Sequence, residues 1–138
     1  MVVIDASVAA KWFLLESDRQ LARALQQSSE EIIAPELVIV EVMNVIWKNL
    51  RLGNVGADQI ALITHSLPRQ FSRLVEVTPL AVAAMEIAIS LDHPIYDCFY
   101  IALAERERCE LITADERLYR KTRRTKFASL VKPLSAKR

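Results

Sequence analysis

Val2, Val3 and Ile4 run directly into Asp5, Ala6 and Ser7. Three successive β-branched residues suit a short strand covered on both faces, and the change to a carboxylate and a hydroxyl marks its carboxyl end. Ser7 is placed to cap a helix carrying Ala9, Ala10, Trp12 and Phe13 that runs through Leu15. Ligands of open α/β sheets bind beyond the carboxyl ends of the strands. Asp5 is therefore a candidate site residue, and the question is whether other acids reach the same edge.

The rest of the chain repeats this short apolar run followed by a helical pattern. A second helix starts near Ser17 or Asp18 and carries Leu21, Ala22, Ala24 and Leu25; Ile32, Ile33 and Ala34 form a second strand. Pro35 suits the first turn of a helix from Glu36 to about Leu52 that stops at Gly53 and Asn54, and another helix covers Ala57 to Leu67 before Pro68. Leu74 to Val77 reads as a strand nearer the sheet edge, with Thr78 and Pro79 opening a helix through about Leu91. Beyond the break at Asp92, His93 and Pro94, a helix over Tyr96 to Glu107 leads to a strand at Leu111 to Thr113. A last helix starts near Asp115, and Leu130 and Val131 add a terminal strand. This alternation predicts a single α/β domain over residues 1–138, with a central, mostly parallel sheet flanked by helices.

At 138 residues and 52% hydrophobic, the chain can bury one continuous core. No window reaches the roughly 18 to 20 apolar residues of a membrane span, and Asp5 comes too early for a signal-peptide apolar region, so a soluble cytoplasmic protein is expected. Cys98 and Cys109 lack metal-ligand spacing and read as buried free thiols. The net charge of +1 hides a division. All 17 acids lie in residues 1–116 beside 9 basic residues, whereas the segment 117–138 has 9 basic residues and no acid. That division suits metal binding beside phosphate binding, and it equally describes a solvated terminal helix with a frayed end.

Three further acids stand where a charge is costly or conspicuous. Glu41 shares a helix face with Leu37, Val38 and Val45, so it is either protonated, paired or metal-bound, or it reaches past the apolar stripe to solvent or Lys48. Asp97 stands among Ile95, Tyr96, Phe99, Tyr100 and Ile101, where a helix N-terminus would also favour it. Asp115 follows a buried strand as Asp5 does, although it also fits an N-cap, or a first turn in which Thr113 and Glu116 form a capping box. Carboxylates clustered without a cation raise one another's pKa, a conflict that a hard divalent ion removes. With Gly53 and Gly56 as the only glycines there is no phosphate-cradling loop, and His65 and His93 follow no hydrolase motif and read as surface or structural. The basic segment adds Arg117, Arg120, Lys121, Arg123 and Arg124 as candidate contacts to a phosphate backbone, four of them (all but Arg123) on one helical face.

Val3 to Trp12 (VIDASVAAKW), Pro35 to Asn44 (PELVIVEVMN), Leu91 to Glu105 (LDHPIYDCFYIALAE) and Leu111 to Leu118 (LITADERL) together resemble, in order, a PIN-domain ribonuclease of the VapC toxin type. The resemblance implies a central parallel sheet with strand 1 in the middle and strand 4 beside it. It maps the family's acidic metal site onto Asp5, Glu41, Asp97 and Asp115, with Ser7 and Thr113 as supporting hydroxyls and Asn44 as a further supporting residue. It also implies cleavage of RNA with Mg²⁺ or Mn²⁺, a homodimer, and a VapB-type antitoxin as partner; structured transfer RNA is a substrate to try. PIN domains also serve in RNA maturation and turnover, or as silent binding modules, and the sequence leaves those readings open. Two other classes fit poorly. A phosphate-accepting receiver would need an aspartate where Thr78 and Pro79 stand, and a haloacid-dehalogenase-type phosphatase would need an acid where Ser7 stands.

Overall fold

A computed structural model describes residues 1–137. Five strands, β1 (Val2–Ile4), β2 (Ile32–Pro35), β3 (Arg73–Val75), β4 (Glu110–Thr113) and β5 (Val131–Pro133), form one sheet in the order β3-β2-β1-β4-β5. Every neighbouring pair is parallel, with Val3 opposite Ile33 on one side and Leu111 on the other. Strand 1 is central and strand 4 lies beside it, as the resemblance implies. Val2 to Ile4 are buried, which is why they can be continuously apolar rather than alternating.

Among the described residues, seven α-helices surround the sheet: α1 (Ala6–Ala9), α2 (Arg19–Gln27), α3 (Leu37–Arg51), α4 (Ala57–Ser66), α5 (Ala81–Leu91), α6 (Ile95–Glu107) and α7 (Glu116–Thr122). Helix α6 packs on β1, β2 and β4 and also against α5. Contact on several sides explains why Cys98 and the run Tyr100 to Ala104 are all buried, leaving α6 without a single apolar stripe. No described helix is long and apolar enough to cross a membrane.

The local chemistry departs from expectation in several places. The cap of α1 is Asp5, whose side chain accepts the Val8 N–H, while Ser7 sits inside the first turn. That helix passes into a 3-10 turn at Ala10–Trp12 and does not reach Leu15, which is exposed. Pro35 is the last residue of β2 rather than the first of a helix. A proline is tolerated there because the Glu36 N–H takes the next bond, to the Val75 carbonyl at 2.8 Å. Strand β3 begins at Arg73, one residue before the expected start, and sits at the sheet edge as expected. Cys98 is buried and Cys109 half-buried, both as free thiols.

Candidate active site

The strand order turns at β1: β2 and β3 lie on one side of it, β4 and β5 on the other. Such a switch point opens a crevice beyond the carboxyl ends of the two strands that flank it. Asp5 follows β1, Thr113 ends β4, and Asp115 lies two residues further on. Asp5 is only 3% exposed. One of its carboxylate oxygens accepts the Ser7 hydroxyl and, at 3.2 Å, the Val8 N–H; the other accepts the Thr113 hydroxyl. The Ser7 oxygen in turn accepts the Ala114 N–H at 2.9 Å, and the Thr113 oxygen accepts the Asp115 N–H at 3.0 Å. Each hydroxyl thus takes a backbone proton and sends its own to Asp5. Burial nevertheless dominates and pushes the Asp5 carboxyl up to about 7, against the pull of Ser7 and Thr113 and with a further push from the Asp97 charge. Asp115 caps α7 through one oxygen, which accepts the Arg117 N–H at 2.9 Å and the Leu118 N–H at 3.3 Å.

The opposite side of the crevice is built from helices. Glu41, on α3, accepts a 2.6 Å hydrogen bond from the Tyr100 hydroxyl on α6. Its side-chain partner is therefore Tyr100 rather than Lys48, and the half-buried carboxylate keeps access to solvent. Burial raises the Glu41 carboxyl above its ordinary range, the Tyr100 bond lowers it, and the Asp97 charge raises it again. Burial, then the Glu41 charge, raises the Tyr100 phenol, so Tyr100 keeps its proton and remains a donor. Asp97, in the first turn of α6, lies 2.6 Å from the His93 ring nitrogen Nε2; the His93 side chain is 5% exposed.

These groups line one cavity of about 260 Å³, whose wall includes Asp5, Ser7, Glu41, Asn44, Asp97, Tyr100 and Asp115. All four acids singled out in the sequence therefore meet, with Ser7 and Asn44 beside them and Thr113 behind Asp5. The wall contains no lysine or arginine among the described residues. Among the described residues, no three His, Cys, Asp or Glu side chains are arranged to hold a metal ion as they stand. Tyr100 and His93 were not anticipated as partners. For His93 the available signal was its place four residues before Asp97, whereas Tyr100 serves a residue on another helix, which no spacing within α6 reveals. Of the basic candidates, Arg117, Arg120, Lys121 and Arg124 are exposed on or just after α7. Arg123 is used differently. Its guanidinium donates to the carbonyls of Tyr119, Ala128 and Val131 and covers the Tyr119 ring at 3.9 Å, bracing the C-terminal segment rather than joining the exposed row.

Comparison with known proteins agrees with this architecture. Residues 2–124 match the PIN domain family. The chain is 30% identical to Ribonuclease VapC3 of Pyrobaculum aerophilum over 96% of its own length and 98% of that protein's. It is 32% identical to Ribonuclease VapC9 of Mycobacterium tuberculosis over 86% of this chain and 88% of that one. The fold is shared with the crystal structure of PAE2754 from Pyrobaculum aerophilum at a TM-score of 0.72 and 23% identity, covering 98% of this chain and 91% of that one. The FitAB structure bound to a DNA fragment gives a TM-score of 0.69 at 12% identity, covering 97% of this chain and 95% of that one. On the family match and the full-length relatives, the chain belongs to the PIN-domain family, in the company of the VapC ribonucleases.

Proposed function

We propose that this chain is a metal-dependent endoribonuclease that hydrolyses RNA phosphodiester bonds, and that it acts as the toxin of a VapBC-type pair. The observation that carries the proposal is the meeting of Asp5, Glu41, Asp97 and Asp115 around one small cavity with no lysine or arginine among the described residues of its wall. Its donors are hard oxygens, which suit Mg²⁺ or Mn²⁺. An ion of that kind keeps several of its waters and needs few direct protein ligands. Asp5, Asp97 and Asp115 would hold that ion directly or through water. When bound, it would polarise the phosphodiester and lower the pKa of the attacking water.

The chain's own groups account for the rest of the chemistry. Ser7, Thr113 and the Val8 N–H hold Asp5 in one orientation, His93 does the same for Asp97, and Tyr100 leaves Glu41 with one oxygen to orient the attacking water. Asn44 borders the same space and can donate to a phosphate oxygen. Arg117, Arg120, Lys121 and Arg124 supply sequence-independent attraction for the RNA backbone. The relatives' names support the toxin reading, which carries with it a VapB-type antitoxin, a homodimer and a cytoplasmic setting.

The test is cleavage of RNA, structured transfer RNA included, by purified protein with Mg²⁺ or Mn²⁺, set against Asp5→Asn and against a chelator. Undiminished cleavage by Asp5→Asn would overturn the site assignment. Growth arrest on expression, relieved by co-expressing the product of an adjacent small gene, tests the toxin assignment separately.

A further inference from the structure

A second cavity, of about 570 Å³, adjoins the acidic one. The two share Asp115, and Thr113, whose hydroxyl supports Asp5, lies in the wall of the second. Its chemistry is different. Lys11 is 9% exposed, and its ammonium is held by the Ser17 carbonyl at 2.9 Å and by Glu16 at 3.3 Å. Arg120 enters from α7, paired with Glu116 at 3.1 Å. Arg120 and Glu116 are both exposed, so that pair contributes little; Glu16 also reaches solvent, and a phosphate can take the place of either carboxylate.

The wall also carries the carboxylates of Asp18 and Asp115, which leave Lys11 and Arg120 as the groups able to take a phosphate, and the aromatic ring of Tyr119. Arg123 covers its ring at 3.9 Å and is itself fixed by the carbonyls of Ala128 and Val131 at 2.8 and 2.6 Å. Arg123 does not line the cavity, so it braces the ring without occupying the space beside it. A braced aromatic ring next to two cations with displaceable partners has the components of a nucleotide site, and the volume falls in the usual range for small-ligand pockets.

We propose that this second cavity holds the nucleotide next to the scissile phosphate of a single-stranded RNA segment, with its base against Tyr119 and its phosphate between Lys11 and Arg120. The position relative to the scissile bond rests on the ribonuclease reading of the acidic cavity. The division of labour is physical. Carboxylates cannot attract RNA by themselves, whereas cations one nucleotide away can, and stacking on an aromatic ring tolerates any base.

The experiment uses the full-length ¹⁵N-labelled protein and a mixed-sequence single-stranded RNA octamer, with metal chelated so that no turnover occurs. The expected result is saturable binding, with amide shifts concentrated at Tyr119, Arg120, Leu134 and Ser135. Tyr119→Ala should weaken binding about fivefold or more, while Tyr119→Phe, which keeps the ring, should restore it. Lys11→Gln should reduce the salt slope of log Kd by about one. Absence of saturable binding, shifts confined to the exposed row of α7, or an unchanged Kd in folded Tyr119→Ala would overturn the proposal. If Tyr119→Ala fails to fold, the shift map of the native chain and the salt slope of Lys11→Gln decide the matter. Metal-dependent cleavage alongside any of those negative results removes the nucleotide site and leaves the nuclease standing. Binding in the cavity without cleavage of any RNA does the reverse.

Discussion

Asp5 and Glu41 face the same cavity but are held by opposite means. Asp5 sits in a web of two hydroxyls and a backbone amide, and those hydroxyls are themselves pinned by amides that follow β4. Glu41 depends on one phenol reaching across from another helix. The strand side is therefore fixed by sheet pairing itself, because no member can turn without losing a backbone bond. The helix side is set by one side-chain contact, and Glu41 can turn about its own bonds once that contact is released. A hydrolytic centre gains from both: a rigid corner to set position, and an adjustable one to handle a water molecule.

If that contrast is correct, Asp5→Asn should have the largest effect. Cleavage of RNA should fall on the order of 100-fold or more, the scale seen when one electrostatic element of an active site is removed, while circular dichroism shows an intact fold. The second effect is on pH dependence. Folded Asp5 holds its proton up to about pH 7, whereas the unfolded chain releases it near 3.8, so the folded chain binds more protons between those values. Stability of the metal-free protein should therefore decline as pH rises through that window, by up to a few kcal/mol. Urea titrations at pH 5 and pH 8 check this, and Asp5→Asn should flatten the difference.

Thr113→Val comes next. It removes the donor to Asp5 and the acceptor of the Asp115 N–H together, with an expected cost of about 1–3 kcal/mol in urea denaturation. Tyr100→Phe should cost less, about 1 kcal/mol, because Glu41 is only half-buried and can find water, yet kcat should fall roughly tenfold with KM little changed. A larger stability loss for Tyr100→Phe than for Thr113→Val would reverse the contrast between the two sides.

The parts of the molecule that could be read in advance share a physical property: their signals are local. Val2 to Ile4 followed by Asp5 spell a buried strand and its end, and Gly53, with φ of +78°, stops α3 where a glycine at that position should. The Asp5 cap was misread because Ser7 and Asp5 are both good caps two residues apart, and Ser7 is drawn away by Ala114, more than a hundred residues later. Tyr100 was hidden for a related reason. In a helix buried on several sides a tyrosine counts as one more apolar residue, and only the approach of α3 reveals what its hydroxyl serves. Arg123 looked like its basic neighbours until the chain beyond it folded back to offer carbonyls. The gathering of four acids followed from the family resemblance, since periodicity alone does not order strands within a sheet.

The hydroxyl web also bears on when the molecule becomes dangerous to RNA. Asp5 is made before its second hydroxyl partner, which stands 108 residues later. A chain still emerging from the ribosome carries the acid but lacks Thr113, Asp115 and the β4 pairing that positions them. Under the nuclease reading, hydrolytic competence is therefore withheld until β4 and Asp115 have been translated, and any product cut short before β4 is inert.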